Sequence, residues 1–137
     1  MKLLTQSIAE QLLRNGKIRY ALDEQGEADP DFLPVVKLFT PDAACTWILT
    51  ELDPEDPDIA FGLCDLGMQC PELGSVRISE LESVRGRLGL PVERDRYFEP
   101  QHTLSVYARA AWNAAAITED PVKLREAAIA MQIGGAS

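Results

Sequence analysis

The stretch VVKLFTPDAACTWILTELDPEDPDIAFGLC, residues 35–64, decides the fold that the sequence predicts. It contains three apolar segments, over 35–39, 46–52 and 59–64, whose β-branched and aromatic residues are typical of β-strands. Between them lie Pro41-Asp42 and the run Asp53 to Asp58, which have the chemistry of turns. Because connections this short leave no room for crossover helices, the strands must pair antiparallel.

Upstream of this stretch the sequence predicts a short helix and a further strand. Thr5 or Ser7 can cap the helix, and Asn15-Gly16 is a pair that often ends one in a left-handed turn. We therefore expect a helix of about two to three turns. The segment Lys17 to Leu22 then alternates apolar and polar residues in the manner of a strand with one buried face.

Downstream, residues 75–78 form another strand candidate. Ser79 and Glu82 have the spacing of a capping box, which predicts that a helix begins there and ends at Gly86. The last third is rich in alanine with apolar residues at helical spacing, and Asp120-Pro121 has the pattern of a cap followed by a first-turn proline. Two C-terminal helices are therefore predicted.

These elements predict an α+β fold built on an antiparallel meander sheet of four to five strands. The N-terminal helix and the capping-box helix are expected to cover one face of the sheet. We expect an α+β core domain over residues 1–100. Residues 101–137 would form a C-terminal helical extension that either packs on the core or mediates association.

Composition narrows the classes of function. A chain of 137 residues, 46% of them hydrophobic, has the size and composition of one globular domain. No apolar run approaches the roughly 20 residues that cross a bilayer, and the start turns polar too soon for a secretory signal, so we expect a cytoplasmic protein without a membrane partner. Three cysteines without a Cys-x-x-Cys pair indicate neither a disulfide framework nor a structural zinc site.

Enzymatic chemistry has little support in the sequence, and we expect no cofactor and no metal. His102 is the one histidine and lacks a recognisable nucleophile or acid partner. No glycine-rich phosphate loop is present. An enzyme would have to rely on carboxylates such as Glu80 or Glu82, for which helix capping is the simpler explanation.

The net charge of −9 is concentrated in one segment, since residues 35–76 hold eight acidic residues and one basic residue. The stretch 51–58 holds five carboxylates that form a candidate acidic recognition surface: Glu51, Asp53, Glu55, Asp56 and Asp58. The spacing does not match a calcium-binding EF-hand loop. A solvated hairpin turn is the favoured interpretation of this stretch. A sharper alternative is that the acidic segment 35–76 imitates DNA phosphates and occupies a nuclease or other defence protein.

Residues 84–100 contain the stronger candidate for a binding site. The candidate residues there, with one aromatic residue from a predicted strand, are Arg85, Arg87, Arg94, Arg96, Tyr97, Phe98 and Trp47. Guanidinium groups beside aromatic rings suit a protein partner or stacking on nucleic-acid bases. Glu93, Asp95 and Glu99 lie among them, so structural ion pairs are the favoured interpretation, as a core position is for Trp47.

An ordered set of motifs resembles a known bacterial family. The motifs are the opening Met1 to Thr5, VVKLFTPD (35–42), TWILTELDPED (46–56), FGLCDLG (61–67) and PELGSVRISELESVRGRLGLPVERDRYFEP (71–100). Together they resemble the family catalogued as domain of unknown function 2958, over about the first hundred residues. The resemblance implies small proteins often carried by conjugative plasmids and integrated mobile elements, with no established activity or catalytic residues.

The sequence thus favours a non-enzymatic interaction protein of a mobile genetic element, whose partner is a protein such as a host defence or DNA-processing protein. The alternative is a single-stranded nucleic-acid-binding module that uses the arginine and aromatic loop 85–98. The acidic net charge disfavours nucleic acid, because phosphates are repelled at long range. The sequence leaves the oligomeric state open.

Overall fold

A five-stranded antiparallel sheet organises the protein. The computed structural model describes residues 3–135. In chain order its elements are α1 (Gln6–Glu24), β1 (Val36–Phe39), β2 (Thr46–Leu52), β3 (Ile59–Asp65), β4 (Glu72–Arg77), α2 (Ile78–Ser83), β5 (Glu93–Arg94), α3 (Leu104–Ala114) and α4 (Pro121–Gly135). The strand order is β4-β3-β2-β1-β5. The predicted α+β class and antiparallel meander are confirmed, and β5 returns after α2 to pair with β1.

Strand β2 contains a bulge that changes which side chains face each side of the sheet. Leu49 lies opposite Gly62 and Glu51 lies opposite Phe61, so Thr50 has no partner in the β2–β3 ladder. One extra residue shifts the alternation of the strand. As a result Glu51 lies on the same face of the sheet as Phe61.

Helices cover parts of both faces of the sheet, and each face has its own apolar core. On one face α1 and α2 bury residues that include Leu12 and Leu81 against β1 and β2. On the other face α3 and α4 bury Tyr107 and Leu124 against Ile48 of β2 and neighbouring residues. The C-terminal helices therefore pack on the sheet.

Helix α1 is longer than predicted, and its length corrects two expectations. It continues through Asn15-Gly16 to Glu24, so no strand forms over residues 17–22. The Asn15 side chain donates a hydrogen bond to the carbonyl oxygen of Thr50, at 2.9 Å, and Gly16 lies directly against the backbone of Leu52. This pair therefore marks a close approach of the helix to β2 and not the end of the helix.

The prediction that Ser79 and Glu82 form a capping box is also wrong. Helix α2 covers only Ile78–Ser83, so Ser79 lies inside it and the helix ends before Gly86. Asp58, which is distant in sequence, takes the capping role, since its carboxylate accepts hydrogen bonds from the Ser79 amide at 2.9 Å and the Ser79 hydroxyl at 2.6 Å. The predicted cap of α4 is confirmed, because Asp120 accepts from the Val122 amide at 2.9 Å.

We predict that Gly16→Ala destabilises the protein strongly. The added Cβ would lie 1.8 Å from the carbonyl oxygen of Leu52, so α1 would have to move off β2. We expect a loss of about 2 kcal/mol or more in the free energy of unfolding, measured by urea denaturation. Gly74→Ala is the matched control, because no atom lies within 4 Å of the added Cβ there. Equal losses in the two variants would contradict the proposed contact.

Candidate functional site

The larger of the two clefts described for residues 3–135 has a volume of about 720 Å³ and lies beside β5. We call it the arginine cleft, and it is lined by Leu3, Phe39, Glu82, Arg85 and residues 91–97. Of the predicted binding residues, Arg85, Arg94, Arg96 and Tyr97 line it. Sequence analysis missed the apolar floor, because Leu3, Phe39 and Val92 look like ordinary core residues.

Hydrogen bonds to the backbone hold two of the cleft arginines. Arg94 lies in β5 opposite Leu38 of β1, and its guanidinium donates to the carbonyl oxygen of Leu3 at 2.5 Å. The Leu3 amide in turn donates to Glu82 of α2 at 3.2 Å. Arg85 donates to the carbonyl oxygens of Glu82 and Val84, at 3.0 and 2.8 Å. The N-terminal segment is thereby held as one wall of the cleft.

The structural ion pairs expected for these arginines do not form. Among residues 3–135, every salt bridge has Arg19, Lys37 or Arg77 as its cation. The Asp95 carboxylate oxygen Oδ2 lies 3.5 Å from Lys37 Nζ, and Oδ1 accepts a hydrogen bond from the Tyr97 amide at 2.9 Å. Because their partners are neutral carbonyl groups, the cleft arginines keep charge that a partner can use.

The rim and the floor of the cleft differ in character. Tyr97 is 92% exposed and Arg96 is exposed beside it, whereas the floor residues Leu3 and Val92 are only 7% and 4% exposed. A large aromatic ring in water exposes apolar area that a partner would bury. The arrangement can hold an apolar side chain at the floor and a carboxylate at the rim.

Three other predicted binding residues do not line this cleft. Trp47 is 4% exposed and belongs to the core between α1 and the sheet. Phe98 is half-buried and packs on the α3 core, with its ring 6.2 Å from that of Tyr107. Arg87 is exposed in the loop before β5 but is not part of the lining. Trp47 and Phe98 are therefore structural.

The acidic stretch forms the predicted hairpin connection between β2 and β3, but it is not a uniform acidic surface. Glu51 is 3% exposed and is paired with Arg19, so its assignment to a surface is wrong. The other four carboxylates each have a partner within the protein. Asp53 accepts from the Glu55 amide, Glu55 from the Tyr20 hydroxyl, and Asp56 and Asp58 pair with Arg77. These contacts account for much of the acidity structurally.

A second cleft, of about 290 Å³, lies around the Arg19–Glu51 pair and includes Asp29 and Phe61. Burial raises the pKa of the Glu51 carboxyl above its ordinary value, and the hydrogen bond from Arg19 opposes that shift. A hydrogen bond with Asp23 raises the pKa of Asp29. The bulge in β2 is what places Glu51 on this face of the sheet.

Residues 3–135 contain no group of three or more histidine, cysteine or acidic residues arranged to hold a metal ion. His102 contacts the ring of Tyr107, with 6.4 Å between the ring centres, and does not line either cleft. Burial raises the pKa of the Cys64 thiol. No helix in the described part of the chain is long and apolar enough to cross a membrane.

The comparison with protein families identifies the chain. The family described as "Protein of unknown function (DUF2958)" matches residues 3–118, so the chain belongs to that family. The match extends from Leu3 through α3 and leaves α4 outside it. No curated protein and no solved structure matches the chain.

We predict that Asp58 makes stability depend on pH in the acid range. Hydrogen bonds from Ser79 lower the pKa of Asp58 below the ordinary value of 3.8. The contribution of Asp58 to the free energy of unfolding is therefore complete above the pKa that Asp58 has in the unfolded chain. It is lost as pH falls through the lower pKa that Asp58 has in the folded protein. Asp58→Asn should be less stable than the wild type at pH 7, and the difference should shrink towards pH 3, as measured by urea denaturation.

Glu55→Gln is the control for this experiment, because Glu55 lies in the same turn and its carboxylate accepts from the Tyr20 hydroxyl of α1 rather than from α2. A difference between wild type and Asp58→Asn that stays constant from pH 7 to pH 3 would show that the ionised carboxylate is not what caps α2.

Proposed function

We propose that this member of the DUF2958 family is a non-enzymatic interaction protein that binds a protein partner through the arginine cleft. The observation that carries the proposal is that the arginines of the cleft form no ion pairs within the described part of the protein. Arg85, Arg94 and Arg96 make no ion pair with a carboxylate among residues 3–135, although Glu93 and Asp95 flank Arg94 in the sequence and Asp95 precedes Arg96. Charged groups left free in a cleft are available for a partner.

The composition of the cleft favours a protein as the ligand. Arginine and tyrosine are enriched among the residues that dominate protein–protein affinity, and both stand at the rim here. Leu3 and Val92 supply an apolar floor. We propose that the partner inserts a segment with an apolar side chain next to a carboxylate, so that the first meets the floor and the second meets Arg96 or Arg85.

Nucleic acid fits this cleft less well than protein does. Glu82, Glu93 and Asp95 also line it, so a phosphate backbone that followed the arginines would pass close to carboxylates. The net charge of −9 adds long-range repulsion. Single-stranded nucleic acid therefore stays the alternative, as an outcome that the experiment below can reveal.

The proposal is for a binding protein and not for an enzyme. The one histidine contacts Tyr107 outside the cleft, and the cleft carboxylates Glu82 and Asp95 accept hydrogen bonds from backbone amides. Those bonds have structural roles. That the chain acts for a mobile genetic element stays a prediction from the family resemblance. That the partner is a host defence or DNA-processing protein stays a prediction from the sequence.

The proposal predicts that a double variant, Arg96→Glu with Tyr97→Ala, loses its partner. Both side chains are exposed at the rim, so the variant should fold normally. The tagged wild type and the variant are used to capture proteins from lysate of the native host, with and without nuclease treatment, and captured proteins are quantified by mass spectrometry. We expect a specific protein whose recovery falls roughly tenfold or more in the variant.

Arg125→Glu is the matched control, because Arg125 is an exposed arginine on α4, outside the cleft. It should retain the partner at the level of the wild type. Equal recovery of the partner by the double variant and by this control would show that the cleft is not the binding surface. A partner complex that disappears on nuclease treatment would instead favour the nucleic-acid alternative.

A further inference from the structure

Asp42 contacts the loop that closes one side of the arginine cleft. This loop, residues 86–90, lies between Arg85 and Pro91, which pair with each other as an isolated β-bridge and both line the cleft. The Asp42 carboxylate oxygen Oδ2 accepts hydrogen bonds from the Leu88 amide at 2.6 Å and the Leu90 amide at 3.2 Å. A residue more than forty positions away in sequence therefore holds the loop.

The loop backbone is shaped around this carboxylate. Gly86 lies so close that a Cβ added to it would be 1.6 Å from Asp42 Oδ1. Gly89 has a φ of +82°, a conformation that glycine adopts readily. Backbone amides of one turn that converge on an anion form a well-known type of anion site. Here the anion is a side chain of the protein itself.

Two further observations indicate that the contact between Asp42 and the loop 86–90 does more than stabilise the turn at Pro41-Asp42. Asp42 Oδ1 is buried and has no hydrogen-bond partner among the described residues, a costly arrangement for a carboxylate. Leu88 is 82% exposed and Leu90 is 43% exposed, so these loop side chains gain little from burial. The loop has two backbone hydrogen bonds of its own, from the Gly86 amide to Leu90 at 2.9 Å and from the Gly89 amide to Gly86 at 3.0 Å. The Asp42 carboxylate, and not apolar packing, ties the loop to the β1–β2 connection.

We propose that Asp42 is a positioning residue for the arginine cleft: by holding the Leu88 and Leu90 amides it fixes the wall formed by Arg85 and Pro91 before the partner arrives. The inference rests on the proposed function of the cleft. A wall that is already ordered does not lose conformational entropy on binding, so the affinity is higher than with a mobile loop. Sequence analysis assigned Asp42 only to a turn, because the contact joins distant segments.

The test compares Asp42→Ala with the conservative variant Asp42→Asn, whose side-chain oxygen can still accept from both amides. Asp53→Ala is the matched control, since Asp53 also accepts from a backbone amide in a turn, that of Glu55 at 2.9 Å. Amide hydrogen exchange at Leu88 and Leu90 is measured by NMR. Cleavage by trypsin between Arg87 and Leu88 is measured by mass spectrometry, and urea denaturation reports global stability.

In Asp42→Ala we expect exchange at both amides to become about tenfold faster or more, because each loses a hydrogen bond to a charged acceptor. Trypsin should then cleave after Arg87 while the core stays folded. Capture of the partner from lysate should fall in Asp42→Ala and return in Asp42→Asn, a rescue that general destabilisation would not produce. Asp53→Ala should leave all these measurements at the wild-type level.

Unchanged exchange and cleavage in Asp42→Ala would overturn the inference, because the loop would then be held by something else. Faster exchange with undiminished capture would also overturn it, since Asp42 would hold the loop without affecting binding. These outcomes differ from failure of the proposed function, which would be seen as undiminished capture by the Arg96→Glu and Tyr97→Ala double variant.

Discussion

The close contact between α1 and the bulged strand β2 is the constraint on which the rest of the structure depends. Asn15 satisfies the carbonyl oxygen of Thr50, the unpaired residue of the bulge, and Gly16 allows the helix backbone to touch that of Leu52. A buried carbonyl without a partner is costly, so the helix and the bulge stabilise each other. Because the bulge shifts the alternation of β2, Glu51 lies on the same face as Phe61, where it is buried and pairs with Arg19 of the same helix.

The same helix connects this constraint to the arginine cleft. Thr5 caps the N-terminus of α1, and just before it Leu3 accepts from Arg94 of β5 and donates to Glu82 of α2. The position of α1 on β2 therefore fixes the segment that forms one wall of the cleft. The wall formed by Arg85 and Pro91 depends on Asp42 in the β1–β2 connection. Both walls are fixed by contacts between residues far apart in sequence, and their arginines donate to carbonyl groups and keep their charge.

The sequence predicts elements where the signal is local. The strands between residues 35 and 64 follow from apolar segments separated by turn residues, and Asp120 caps α4 through a hydrogen bond two residues away. Elsewhere the local sequence is compatible with two different structures. Asn15-Gly16 has the composition of a helix end, yet at these residues α1 lies directly against the backbone of β2. Only the position of β2 in space distinguishes the two.

Long-range partners explain what the sequence could not predict at the candidate site. Ser79 and Glu82 have capping-box spacing, but Asp58 reaches Ser79 from the preceding hairpin and Glu82 binds Leu3. The run of arginines lies in and beside the lining of the larger described cleft, whereas the neighbouring acids suggested ion pairs that do not form. Asp95 pairs with Lys37 of β1 instead, a choice set by the β1–β5 pairing. Charge patterns thus pointed to the candidate site, and tertiary contacts determined which of its charges form no ion pair.

The central claim, that a protein partner occupies the arginine cleft, is tested most directly by photo-crosslinking in the native host. A photoreactive phenylalanine analogue is placed at Tyr97, on the rim, and in a second protein at Glu55, in the β2–β3 turn away from the cleft. The account predicts a defined protein adduct from position 97 that survives nuclease treatment, and no such adduct from position 55. The same protein adduct from both positions, or an adduct from position 97 that consists of nucleic acid, would contradict it.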